Sequence, residues 1–122
     1  MCIRDRGWSV QYAQLGTGRL RGSWLGVHTA SLQAGIEDWS LGMLKRGHAP
    51  RGSVTFLVPV RPATSVRLQG RPAAAGGVVV LFDGDELDCR SSGPARLLSI
   101  SVERAALDGH VRALRGLSLI HI

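Results

Sequence analysis

What this chain lacks narrows it first. It has two cysteines, Cys2 and Cys89. Cys2 falls in a terminal segment set aside below, so Cys89 stands alone, and an internal disulfide and a cysteine metal cluster are both excluded. A lone cysteine in a β-rich run is ordinarily a small core side chain. No apolar run approaches the ~18 residues of a membrane span, and no membrane partner is expected. Lys45 is the only lysine; every other basic residue is arginine, and alanine and glycine are abundant. That bias is what GC-rich coding DNA yields. The arginines are scattered, so the formal net charge of +6 reads as a solvated surface and not as a nucleic-acid footprint.

Chemistry-bearing motifs are equally scarce. The histidines away from the ends are His28, His48 and His110. None belongs to an H-x-H pair, which would set two imidazoles on one strand face for a metal ion. The acidic group Asp83, Asp85, Glu86 and Asp88 lacks the spacing and the sixth-position glycine of a calcium loop, and reads as a solvated turn. No nucleophile elbow, phosphate loop or dinucleotide fingerprint occurs. Ser23, Ser53 and Ser99 have no histidine or acid at a recognisable spacing. We expect no metal site, no cofactor, no catalytic residue and no enzymatic activity.

Both ends carry a signature of their own. Residues 1–6 read MCIRDR and residues 117–122 read LSLIHI. Reverse-translate the second as CTG TCT CTT ATA CAC ATC. Its reverse complement, shifted by one base, begins ATG TGT ATA AGA GAC, which encodes the first. One DNA segment read on opposite strands accounts for both, and it resembles the transposon end used in preparing sequencing libraries. We therefore expect residues 1–6 and 117–122 to be of adapter origin and exclude them from fold reasoning. Residues 7–116 are then expected to be one domain, a fragment of a longer protein.

What is present is β-pattern. Around Gly76–Val102 three apolar runs, Val78–Phe82, Leu87–Cys89 and Leu97–Val102, are separated by Asp83-Gly84 and Ser92-Gly93-Pro94. This predicts an antiparallel meander. Ser99 and Ser101 alternate with Leu98, Ile100 and Val102, giving that strand one polar and one apolar face. Then the period lengthens. Leu107, Val111 and Leu114 fall at i, i+4 and i+7, which predicts a helix over Glu103–Arg115. Upstream, strands are predicted at Trp8–Leu15, Leu20–His28, Ala30–Ile36, Trp39–Met43, Ser53–Val60 and Val66–Gly70. Loops are predicted at 47–52 and 61–65, with an Ala/Gly-rich turn at 71–77. Leu25 and Val27 share one face and Trp24 and His28 the other, while Val54, Phe56, Val58 and Val60 point one way. Many short strands followed by one helix imply a mainly β domain, a sandwich or barrel.

Gln14–Gly22 (QLGTGRLRG) resembles the Q-L-x-P-G-x-x-x-G opening of a group of AraC-type regulators, with Thr17 where that group often has proline. Gly52-Ser53-Val54-Thr55-Phe56 resembles its G-x-V-x-F strand. Gly77–Phe82, Asp85-Glu86-Leu87-Asp88 and Leu97–Val102 resemble its later strands and G-x-E-F-D turn, with Leu87 in place of the aromatic. The resemblance implies a cupin-like β-barrel or sandwich with a C-terminal helix. It implies the sensor and dimerisation domain of a cytoplasmic bacterial transcription regulator. DNA would be bound only through a C-terminal pair of helix-turn-helix units missing from this chain. It also implies a small-molecule effector in the barrel, and a homodimer in the parent protein to which the helix contributes Leu107, Val111 and Leu114. If the apolar strand faces point inward, Trp24, Trp39, Phe56 and Val58 are candidates for lining the effector pocket; ordinary core is the competing role for them. The alternative is a free-standing small-molecule-binding cupin without a metal site.

Overall fold

Two antiparallel sheets face each other in the computed structural model, which describes residues 2–5, 7–61, 66–73 and 77–121. One sheet has six strands in the order β1 (Cys2–Asp5), β2 (Trp8–Gln14), β5 (Met43–His48), β10 (Glu86–Ser91), β7 (Val66–Leu68) and β8 (Arg71–Pro72). The other has five: β3 (Gly22–His28), β4 (Leu32–Trp39), β11 (Ala95–Glu103), β6 (Ser53–Arg61) and β9 (Val79–Phe82). Helix α1 (Arg104–His121) continues directly from β11. The chain is thus mainly β with one C-terminal helix, as its punctuation predicts.

The meander is not formed. β9 pairs with β6, β10 with β5 and β7, and β11 with β4 and β6. Successive strands therefore alternate between the two sheets. The Asp83-Gly84 turn itself is as tight as predicted. Both residues have positive φ, 31° and 80°, and Asp85 N–H donates to Phe82 O at 2.7 Å. But the Asp83 carboxylate accepts from Gly52 N–H at 2.7 Å, tying the corner to the loop before β6. Turn chemistry fixes where the chain reverses and not which strand it then joins.

Other boundaries shift for similar reasons. The predicted strand Trp39–Met43 is the corner between β4 and β5, and the predicted loop 47–52 begins inside β5. Gly47 cannot be replaced there, because a Cβ would overlap Ser9 O on the neighbouring β2. Residues 62–65 of the predicted 61–65 loop, and 74–76 of the 71–77 turn, lie outside the described residues. Cys2–Asp5 pairs with the outer edge of β2, from Cys2↔Gln11 to Asp5↔Trp8. An open edge accepts the backbone of any sequence, so this pairing is neutral as to the origin of residues 1–6.

The core lies between the sheets and includes Trp39, Met43, Leu57, Leu68, Leu81, Leu87, Cys89 and Leu97. The five-stranded sheet is unusual in how it uses its two faces. Thr55, Leu57 and Pro59 of β6 are sealed inside. Ser101 of β11 is also buried, its hydroxyl 2.7 Å from that of Thr55. The apolar set Phe56, Val58 and Val60 therefore points outward. On the same face, cross-strand rows run Leu25, Ile36, Leu98 and Val58, then Val27, Ala34, Ile100, Phe56 and Val80, then Leu32, Val102, Val54 and Phe82, with Val54 itself covered. Leu25 and Val27 are 75% and 68% exposed. Alternation says that two faces differ, and leaves open which one meets the core.

Two substitutions test this assignment. Leu57→Ala should cost about 2–5 kcal/mol in denaturant unfolding, as a sealed core leucine does. Val60→Ala should stay within about 0.5 kcal/mol, as a surface change does. The reverse order would mean that β6 faces the other way.

Candidate functional site

A cavity of about 410 Å³ opens between β2 and β5 of one sheet and β3, β4 and β11 of the other. Strand alternation aims Trp8, Val10 and Tyr12 of β2 into it, with Met43 and Lys45 of β5 beside them. From the opposite sheet come Trp24, Glu37, Trp39 and Ser99. All three tryptophans of the chain and its single tyrosine thus converge on one space.

The polar centre is a buried ion pair. Lys45 Nζ donates to Glu37 Oε2 at 2.9 Å, and the two side chains are only 6% and 11% exposed. Tyr12 OH donates to Glu37 Oε1 at 2.8 Å, so both carboxylate oxygens are engaged. The ammonium also lies over two rings, 5.2 Å from the centroid of Trp8 and 5.5 Å from that of Tyr12, within cation–π range. Burial, and then the negative charge of Glu37, push the Tyr12 phenol well above its ordinary range. It stays protonated and remains a donor.

A second polar link joins the sheets below. Ser91 Oγ of β10 accepts from Trp39 Nε1 at 2.6 Å and from Met43 N–H at 3.1 Å, fixing the indole of Trp39. Cys89, behind this layer, is pushed up to about 12 by burial; Lys45 opposes the shift and Glu37 and Asp88 reinforce it. A thiol held neutral is a core group and not a nucleophile.

Trp24 is held differently. Its ring lies flat over Gly26 and Gly35, which are cross-strand partners. A Cβ on Gly26 would overlap the ring, and one on Gly35 would sit 2.9 Å from it. Two adjacent glycines make the floor on which this indole rests.

Of the residues singled out by sequence, the structure brings Trp24 and Trp39 into the cavity. Phe56 and Val58 lie on the outer face of β6, because Thr55, Leu57 and Pro59 take its inner face. Leu107 is half-buried, while Val111 and Leu114 are exposed on α1. Sequence reasoning missed Tyr12, Glu37 and Lys45. The available signal was the lysine itself, solitary in an arginine-rich chain and one position from the apolar Met43 in strand alternation.

No family model and no curated protein matches the sequence. Solved structures do match. The cupin domain of Cnp3 from Schizosaccharomyces pombe is similar at TM-score 0.52 and 16% identity, over 80% of this chain and 73% of that one. The Cupin_2 domain of an XRE-family transcriptional regulator from Enterobacter cloacae is similar at TM-score 0.53 and 11% identity, over 66% of this chain and 95% of that one. The chain has a cupin-like fold.

Likeness at this identity reaches the fold alone, and it corrects one expectation. An acetylacetone dioxygenase from Acinetobacter johnsonii is similar to this chain at TM-score 0.53 and 11% identity, over 82% of this chain and 70% of that one. The scaffold therefore serves catalysts too, and the expectation of a non-enzymatic chain does not stand. The residues present do not suit a divalent metal in the pocket. Both Glu37 oxygens are taken and an ammonium group stands beside them. His48 Nδ1 lies 3.1 Å from Gly84 O, and His110 is exposed on α1. Among the described residues no group of three or more His, Cys, Asp or Glu side chains is placed to share an ion. Among them, too, no helix is long and apolar enough to cross a membrane.

Lys45→Met should destabilise the fold by about 3 kcal/mol, because it strands the Glu37 carboxylate in a buried site. Adding Glu37→Leu should recover most of that loss. Urea unfolding of the two single variants and the double variant closes the cycle. A Lys45→Met variant as stable as the parent would show that the pair does not hold the sheets together.

Proposed function

We propose that this cupin domain binds a small molecule between its sheets, as the sensor and dimerisation domain of a cytoplasmic bacterial regulator of AraC type. The observation that carries the binding role is the cavity, an apolar, aromatic-walled space with a few convergent polar groups, the usual form of a small-ligand site. The regulator role is supported by the resemblance over Gln14–Gly22 and the later strands. The likeness to a cupin domain from another class of transcriptional regulator is compatible with it.

The mechanism is a population shift. Ser99 of β11 lines the cavity, and the same strand runs on into α1 at Arg104. A ligand that favours one position of β11 biases the helix that follows it. A DNA-binding part carried beyond α1 would read that bias. Amplifying outward from the coding region for residues 7–116 in the source DNA tests the reading. Two helix-turn-helix patterns downstream are the expected result; an early stop codon would favour the free-standing small-molecule-binding cupin.

The dimer partner in this reading is a second copy. Leu25, Val27, Ile36, Val60, Val80 and Phe82 leave on the order of 500 Å² of apolar surface open, a size that marks interaction sites and approaches one partner's share of a standard interface. The stripe Leu107, Val111 and Leu114 adds the helix. Sedimentation velocity should report a dimer, and Val27→Asp and Leu114→Asp should each weaken it at least tenfold. A monomer for the unaltered chain at high micromolar concentration would remove the dimerisation role.

A further inference from the structure

We propose that the cavity selects a flat, conjugated ligand of no net charge, stacked on Trp24 and presenting a carbonyl or hydroxyl group to the Lys45–Glu37 pair; this rests on the small-molecule reading above. Two features of the site carry it. The first is the mounting of Trp24. Its ring is pressed onto backbone at Gly26 and Gly35, yet the residue remains 56% exposed. A tryptophan serving only as core would be covered on both faces. This one rests on backbone on one side, stays more than half exposed, and belongs to the lining of the cavity. A π-face of that kind offers dispersion and quadrupole contact to another flat ring and little to a bulky aliphatic one. The paired glycines are needed because any side chain there would lift the indole off the sheet.

The second feature is that the charge of the site is already balanced. Lys45 and Glu37 neutralise one another, and Asp38 is held by Arg96 at 2.6 Å. Two of the aromatic walls, Trp8 and Tyr12, already hold the protein's own ammonium, so a ligand cation beside them would meet like charge. A ligand carboxylate would bring a second negative charge beside Glu37. Either charged ligand adds an unmatched charge to a largely apolar cavity, which is costly. A carbonyl oxygen has no such penalty and can accept from an ammonium with donors beyond the one given to Glu37. A hydroxyl can do the same, or donate to the carboxylate. The volume of about 410 Å³ leaves room for a fused two-ring molecule with a short substituent.

Three probes sharing one ring system test the inference by calorimetry on the full chain: 2-acetylnaphthalene, neutral; 2-naphthoate, an anion; and 2-naphthylmethylammonium, a cation. The ketone should bind at least tenfold tighter than either ion. Trp24→Leu, which keeps an apolar side chain and loses the ring, should weaken the ketone at least tenfold, and Trp24→Phe should restore most of the affinity. Thermal melts of both variants establish that they are folded. If either ion binds as well as the ketone, the neutral-ligand assignment is wrong while the small-molecule reading survives. If the folded Trp24→Leu variant binds the ketone as the parent does, the stacking role is wrong. If no naphthyl probe binds and the cavity also takes up no apolar fluorescent dye, both this inference and the small-molecule reading fall.

Discussion

The salt bridge between Lys45 and Glu37 spans the sandwich. Lys45 belongs to the six-stranded sheet and Glu37 to the five-stranded one, and Tyr12 reaches the same carboxylate from β2. At this end of the molecule the space between the sheets is not filled by apolar packing. An unpaired charge there would be costly, so the pair fixes the separation of the walls while leaving a cavity beside it. The hydroxyl of Ser91, shared by Trp39 and Met43, repeats the link nearer the core. Two polar bridges and a layer of Leu57, Leu87 and Leu97 thus divide the interior into a packed half and an open half.

The five-stranded sheet is arranged to suit that open half. Its inner face carries Ser99, Ser101, Thr55, Glu37 and a pair of glycines, while valine, leucine and isoleucine rows cover its outer face. The same inner face also carries Trp39, Leu57, Leu81 and Leu97 of the core, so both faces of this sheet hold apolar residues. Polar groups inside are tolerable because they meet one another, as Thr55 meets Ser101, or border the cavity. Apolar rows outside are what an interface presents before it is covered.

Much of the fold was legible. The short apolar runs between glycine, proline and aspartate turns gave the mainly β class, and Leu107, Val111 and Leu114 gave the helix. Where the reading stopped, the reason was physical. Asp83-Gly84 fixed a reversal, but whether β10 joins β9 or crosses to β5 depends on strands dozens of residues away. Phe56 and Val58 read as inward because apolar residues usually are, and period-two alternation cannot tell inside from outside. Trp24 was found because a large aromatic is conspicuous. Glu37 and Lys45 were not, since a charged residue on a strand ordinarily reads as solvated; only the tertiary pairing of β4 with β11 and of β5 with β2 and β10 buries them together.

The strand order has a bearing on how the chain can be made. In one sheet β11 sits between β4 and β6; in the other β10 sits between β5 and β7. Both sheets are therefore in two pieces until the last two strands arrive, and each late strand must enter between neighbours that cannot pair with each other. A chain emerging from the ribosome can form the β3–β4 hairpin early, but neither sheet closes before Ser91 and Glu103 are out. Until then the exposed rows of Leu25, Val27, Phe56 and Val80 have no finished sheet to hold them flat. Non-local closure of this kind is slow, and unpaired strand edges in the waiting state are open to other chains. Of the two keystone strands, β11 also borders the cavity at Ser99 and runs on into α1, so the strand that completes the five-stranded sheet is the one that joins cavity to helix.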